Sequence, residues 1–325
     1  MKYIQGDRAD PHFNLAAEEY VLGSFKDNDY LILWQNDNTA VIGKHQNAAE
    51  EINLRRAEEL GVTIVRRNTG GGAVYHDMGN LNFSFITDWD PDRNMDYDTF
   101  LKPVLRALQR FGVKAEKQGR NDLVVDGQKI SGNAQCIQNG RLLHHGTLLV
   151  SSDLSMISEV LNVQADKIES KGIKSVRSRV ANISEFVTEP IDIGRLMQAL
   201  QESFFNGGPI DRRVFDEAQI KEIEKLAFDK YSTWEWNFGS FKGYSFKNAR
   251  RFPGGKVEVH LNVKNGIITQ CRVFGDFLAL CGVEDIEKNV VGCRVDRGEL
   301  RRALQGIDYK RFYGFDLEEL LECFE

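Results

Sequence analysis

The chain reads as an α+β protein, with a large domain on a mixed or antiparallel sheet followed by a smaller C-terminal α+β unit. Three observations predict this. Short strand signals run through the first 240 or so residues with only a few helices among them. They lack the regular β-α-β alternation that a parallel doubly wound sheet needs. Near Lys242 a charged helical stretch and the aromatic run Trp234-Glu235-Trp236-Asn237-Phe238 give way to a fresh set of strands. The division therefore falls at 1–242 and 243–325.

The elements follow in order. Apolar spacing predicts a helix over 15–25, then strands over 30–34 and 39–43. A strong β-branched run, Val62-Thr63-Ile64-Val65, predicts a strand with partners over 73–76 and 81–86. Tyr97, Leu101, Val104, Leu105 and Leu108 recur at helical intervals and stop at Gly112. Asp126-Gly127 and Asn139-Gly140 each predict a tight hairpin turn. Helices are expected over 193–205 and 214–228. Beyond the boundary, Val257, Val259, Leu261 and Val263 alternate on one face, Asn265-Gly266 turns the chain, and 267–274 returns. Helical stretches close the chain, ending with Leu317, Leu320, Leu321 and Phe324.

Composition removes several classes of function. The 325 residues carry 42 Lys+Arg against 48 Asp+Glu, a formal net charge of −6, with signs well mixed. That gives no electrostatic footprint for nucleic acid. No run of about 18 apolar residues suggests a membrane span. The polar start Met1 to Arg8 has no secretory apolar core, so the expected compartment is the cytosol. Five cysteines without a C-x-x-C pair exclude a disulfide framework and a zinc ribbon. No heptad seam is visible, and a monomer is expected.

Three segments carry chemistry. In Arg66-Arg67-Asn68-Thr69-Gly70-Gly71-Gly72-Ala73-Val74-Tyr75-His76-Asp77, three glycines after a strand allow main chain to lie against a ligand, and two arginines add charge suited to a carboxylate or phosphate. Neither a P-loop nor a dinucleotide fingerprint is present. The second segment, Gly119-Arg120-Asn121-Asp122, precedes a hairpin that returns Lys129 towards 123–125, beside small residues at 131–134. A lysine so placed is suited to neutralising charge at a reacting carbonyl or phosphoryl group. The third, Lys171 to Val180, holds four basic residues, including Lys171 and Arg177 around Ser175, and is suited to closing over a phosphate.

These segments, with His144-His145-Gly146 and Trp234-Glu235-Trp236-Asn237, occur in the same order as in the lipoate–protein ligase A family, which the chain resembles over essentially its whole length. The resemblance implies a biotin/lipoate-ligase type of catalytic domain with an accessory C-terminal domain. It also implies a two-step reaction: lipoate and ATP give lipoyl-adenylate and pyrophosphate, and the lipoyl group passes to a lysine of an acceptor lipoyl domain. The implied acceptors are E2 subunits of 2-oxoacid dehydrogenases and the glycine cleavage H protein. ATP with Mg²⁺ and lipoate are the expected ligands, and no tightly bound prosthetic group is expected.

Residue roles carry over by position. Lys129 resembles the lysine that touches both substrates. Arg67, Gly72, Ala73, Val74, Tyr75, Asn121, Asp122, Lys129, Lys171, Ser175 and Arg177 fall on the ATP and adenylate side. Arg67, Gly70, Gly71, Gly72, Val74, Lys129, His145 and Trp34 fall on the lipoate side. Asp122 stays open between a proton acceptor, a structural carboxylate and a metal ligand. Two alternatives remain: an acyl transferase on the same scaffold working through a thioester at Cys136, and a non-catalytic lipoate- or nucleotide-binding module.

Overall fold

A computed structural model describes residues 1–93, 96–162, 179–239 and 244–324. Its main sheet has seven strands: β1 (Lys2–Gln5), β2 (Tyr30–Trp34), β6 (Asn80–Asp88), β7 (Glu116–Gln118), β8 (Asp122–Val125), β9 (Gln128–Gln138) and β10 (Arg141–Leu149). They lie in the order β1-β2-β6-β10-β9-β8-β7. Only β1 and β2 run parallel. A second sheet pairs β3 (Thr39–Ile42) with β4 (Thr63–Arg66) in parallel and with β5 (Val74–His76) antiparallel. The third, β11 (Phe246–Phe252), β12 (Gly255–Lys264) and β13 (Ile267–Gly275), is an antiparallel meander. The expected α+β class with a mixed large sheet is therefore what the chain adopts.

Helices cover both faces of the main sheet, which is why β2 is buried at every position. Leu31 and Leu33 pack under the helices Asp98–Gln109 and Ile193–Phe204, whereas Tyr30, Ile32 and Trp34 pack under the helix Pro11–Ser24 and the 223–231 segment. The first helix begins earlier than its apolar spacing suggests, because Asp10 caps it and Pro11 supplies a preset first turn. The helix expected over 214–228 is Glu217–Leu226, which continues into a wider π turn at Ala227–Tyr231. All three predicted hairpin turns form, with positive φ at Asp126, Gly127, Asn139, Gly140, Asn265 and Gly266.

The C-terminal sheet has its own core, in which Val257, Val259 and Leu261 meet Leu300, Leu304 and Leu320. One segment leaves it. Leu278 packs in the core of the main sheet, and the main chain around it bonds across the seam. Gly71 N donates to Phe277 O at 3.1 Å, Ile137 N to Leu280 O at 2.9 Å, and Gly275 N to His45 O at 2.8 Å. Among the described residues, no helix is long and apolar enough to cross a membrane.

Candidate functional site

A cleft opens between the main sheet and the β3-β4-β5 sheet. Trp34, Val41 and Val74 make its apolar walls, and the 71–73 turn and Lys129 lie at the same cavity.

Lys129 reaches the cleft through an irregularity in the ladder. Val124 pairs with Lys129 and Leu123 with Ser131, so Ile130 is one residue extra. Such a bulge re-aims a side chain. Here Ile130 is fully buried in the core while the Lys129 ammonium meets the Asp122 carboxylate at 2.7 Å. Its backbone is clamped as well: Lys129 N donates to Arg179 O at 2.7 Å, and Ala181 N donates to Lys129 O at 3.0 Å. A Cβ on Gly132 would lie 2.8 Å from Lys129 Nζ, so glycine leaves the path open. Asn121 O accepts from Asn133 N at 3.0 Å and from Asn133 Nδ2 at 2.9 Å, which locks the two strands beside the lysine.

The three glycines have three different jobs. A Cβ on Gly70 would meet Phe277 O at 2.6 Å, so this residue makes room for the C-terminal unit rather than for the cleft. Gly71 alone has positive φ, +90°. A Cβ on Gly72 would meet nothing within 4 Å.

The two arginines are largely engaged by the protein. Arg66 donates to the carbonyls of Gly43, Lys44, Gln46, Trp236 and Asn237, so it fixes the loop and is not held out for an anion. Arg67 donates from Nη2 to Gly70 O at 2.6 Å and to Gly72 O at 2.9 Å, and from Nε to Thr69 Oγ1 at 3.0 Å. Burial pulls both guanidinium groups down to about 10, which leaves them charged at neutral pH. Arg67 thus shapes the turn and brings positive charge to the cleft wall.

Sequence reading does not find the polar chain behind the cleft. Trp34 Nε1 donates to Ser84 Oγ at 2.9 Å, and Ser84 Oγ donates to Glu18 Oε1 at 2.6 Å. The same carboxylate oxygen lies 2.9 Å from His145 Nδ1, and His145 Nε2 lies 2.7 Å from Thr69 Oγ1. With a carboxylate acceptor at Nδ1, the proton sits there; Nε2 then accepts from the Thr69 hydroxyl, which accepts from Arg67. Every member is buried, so the chain is satisfied internally and holds Trp34, His145 and Arg67 in fixed orientation.

Of the expected residues, Trp34, Arg67, Gly71, Gly72, Ala73, Val74, Asn121, Lys129 and His145 line one cavity. Gly70 and Tyr75 do not. On β5, Val74 and His76 face the cleft; Tyr75 points the other way, into the core around Ala40 and Ile42, and its hydroxyl donates to Asn38 Oδ1 at 2.9 Å. Asp122 is present through its ion pair with Lys129 and borders a neighbouring cleft. Lys171, Ser175 and Arg177 lie outside the described residues. Leu15, Asn82 and His76 also line the cavity without any local sequence signal. Burial, with Arg67 nearby, holds His76 down to about 3, so it is neutral.

Cys136 belongs elsewhere. It borders a separate cleft with Glu19, Lys44, Lys230 and Cys281, and burial pushes its thiol up to about 12. Among the described residues, the one cluster of three His, Cys, Asp or Glu side chains able to converge on a metal is Glu50, Glu258 and His260. The Lys256 ammonium already pairs with Glu258 and lies 3.7 Å from Glu50.

Residues 10–205 match the lipoyl protein ligase A/B catalytic domain, and 242–324 match the bacterial lipoate protein ligase C-terminus. The chain is 43% identical over 309 residues to lipoate-protein ligase LplJ of Bacillus subtilis, covering 94% of this chain and 93% of that one. It is 41% identical to lipoate–protein ligase 1 of Staphylococcus aureus, covering 99% of both. The crystal structure of P. falciparum LipL1 in complex with lipoate superposes with a TM-score of 0.82 at 25% identity, over 99% of this chain and 97% of that one. A structure from an archaeal lipoylation system, described as a bi-partite lipoate protein ligase and its E2 lipoyl domain from Thermoplasma acidophilum, gives a TM-score of 0.67 at 32% identity, over 75% of this chain and 98% of that one. A lipoate-protein ligase A bound with ATP gives 0.62 at 32%, over 74% of this chain and 99% of that one.

Proposed function

The chain belongs to the lipoyl protein ligase A/B family, and from that membership we propose that this lipoate–protein ligase works in two half-reactions through Lys129. In the first, a lipoate carboxylate oxygen attacks the α-phosphorus of ATP; the bond from that phosphorus to the β-phosphate oxygen breaks, and pyrophosphate leaves with the electron pair. In the second, a neutral lysine amine of an acceptor attacks the acyl carbon, AMP leaves with the electrons of the anhydride bond, and the amine gives up a proton. E2 lipoyl domains and the glycine cleavage H protein are the acceptors we propose. The lipoate- and ATP-bound relatives support the two substrates, and the archaeal ligase described with its E2 lipoyl domain supports the first of these acceptors.

One observation carries it. The Lys129 ammonium stands at an apolar cleft, tethered by Asp122 and clamped by 179–181, with a glycine turn opposite. Two anions must meet in the first half-reaction, and a fixed cation at their junction lowers that barrier. The same ammonium stabilises the oxyanion of the second. The walls made by Trp34 and Val74 suit the apolar acyl chain, with Arg67, Gly71, Gly72 and His145 around it. Asn121, Asp122, Ala73 and Lys129 are assigned to the nucleotide side. Magnesium would arrive with ATP, and since that ion typically takes one or two protein carboxylates with substrate phosphates, Asp122 is the carboxylate at hand to help hold it. In this reading 1–242 forms the catalytic unit and 243–325 the accessory one.

Lipoate-dependent exchange of pyrophosphate into ATP is the test, followed by lipoyl transfer to a panel of purified lipoyl domains that includes the H protein. Both activities are expected. No exchange in the presence of lipoate would overturn the adenylation step. The Cys136 thioester route is not favoured, because that thiol lies in another cleft and is held protonated by burial.

A further inference from the structure

Two of the five free cysteines meet at the seam, one from each unit. Cys136 on β9 and Cys281 of the C-terminal unit border the same cleft, beside the Lys44 and Glu284 side chains, which pair across the seam at 3.4 Å. Main-chain geometry fixes how far apart the two cysteines stand. Ile137 N donates to Leu280 O at 2.9 Å; Cys136 immediately precedes the donor, and Cys281 immediately follows the acceptor. Two planar peptide units joined by one such bond hold those two Cα atoms about 4–6.5 Å apart, whichever way the segments run. A disulfide spans about 4.4–6.8 Å between Cα atoms. The pair is within reach of a bond.

Electrostatics agree with that proximity. Burial pushes both thiols up, Cys281 to about 11, and the Lys44 ammonium acts against burial on both of them. A single cation felt by both sulfurs marks them as neighbours. Cys281 is half-buried and Cys136 buried, so an oxidant entering the cleft meets Cys281 first. Neither thiol belongs to the lipoate cleft, and the two-step reaction through Lys129 uses neither.

We propose that Cys136 and Cys281 form a reversible redox tie, in which a low-molecular-weight disulfide converts the two thiols into one covalent bond between the catalytic and C-terminal units. Cys281 gives up its proton and attacks one sulfur of the small disulfide, whose other half leaves as a thiolate. Cys136 then gives up its proton and attacks the Cys281 sulfur, and the second half leaves. The protein loses two protons and two electrons, the small disulfide becomes two thiols, and one S–S bond has replaced another. Exchange requires thiolates, so burial makes both steps slow at neutral pH. The bond would anchor the 277–281 segment, whose Phe277 O accepts from Gly71 N in the glycine turn of the lipoate cleft. This inference stands apart from the adenylation reading.

The test incubates the full-length protein with oxidised glutathione, blocks the remaining thiols under denaturing conditions, and maps the unreduced digest by mass spectrometry. The expected product is a cross-linked peptide pair containing Cys136 and Cys281, lost on treatment with dithiothreitol. The C136A variant is expected to stop at a Cys281–glutathione mixed disulfide. A tie that closes so long a loop is expected to raise the melting midpoint of the oxidised parent by about 5 °C over the reduced protein, with no such shift in C136A or C281A. Five free thiols after oxidation, a parent that stops at the mixed disulfide, or a bond between any other pair of cysteines would overturn the proposal.

Discussion

Strand β9 presents two candidate reactive groups, Lys129 at one end and Cys136 at the other, and the two ends are built differently. At the first, a bulge turns the side chain out of the ladder, Gly132 leaves it a path, and Asp122 holds its charge. At the second, the thiol packs with Val41, Val65 and Tyr231 in the core beneath the first helix. An ammonium is already in its working state when partly exposed and paired, whereas a thiol must lose a proton, and burial opposes that. Reactivity on this strand is decided by surroundings rather than by which residue is the better nucleophile in water.

Lys129→Ala breaks the comparison most sharply. Adenylation is expected to fall by about a thousandfold or more while the fold persists, as read by pyrophosphate exchange and circular dichroism; activity within tenfold of the parent would remove Lys129 from its role. Gly132→Ala comes next. The added methyl displaces a flexible side-chain tip and not backbone, so a loss of roughly ten- to a hundredfold is expected with near-parental stability, checked by exchange alongside a urea melt.

Acid sharpens the contrast between buried and working groups. Burial holds His45, His76 and His144 down to about 3, each against an ordinary value of 6.5. Between those values the unfolded chain binds the protons that the folded chain refuses, so stability is full above pH 6.5 and declines as the pH falls towards 3. Urea midpoints measured from pH 7 to 4.5 should fall steadily; a flat profile would mean that these rings are not held neutral. The smallest effect belongs to Cys136→Ala, where exchange and lipoyl transfer are expected within about threefold of the parent and the stability cost is about 1 kcal/mol. Loss of transfer in that variant would reverse the comparison.

Local signals account for much of the fold. Asp126-Gly127 and Asn139-Gly140 declare their turns because few other residues accept positive φ at both positions. Val62 to Val65 declares a strand by its β-branched run. Lys129 is legible as well, since the turn fixes its return towards Val124. What escapes the sequence is long-range or depends on parity. The three-residue strand β5 is too short for alternation to say whether Tyr75 or His76 faces the cleft. Glu18 and His145 lie 127 positions apart, and no spacing rule joins them. Arg66 looks like an anion receptor until the carbonyls that surround it are in place.

The seam between the two units has one more consequence. Gly275, Phe277 and Leu280 are tied to His45, Gly71 and Ile137 by main-chain bonds, and Leu278 fills a hole in the neighbouring core. None of these attachments requires covalent continuity. Two separately translated polypeptides presenting the same edges would find the same handholds.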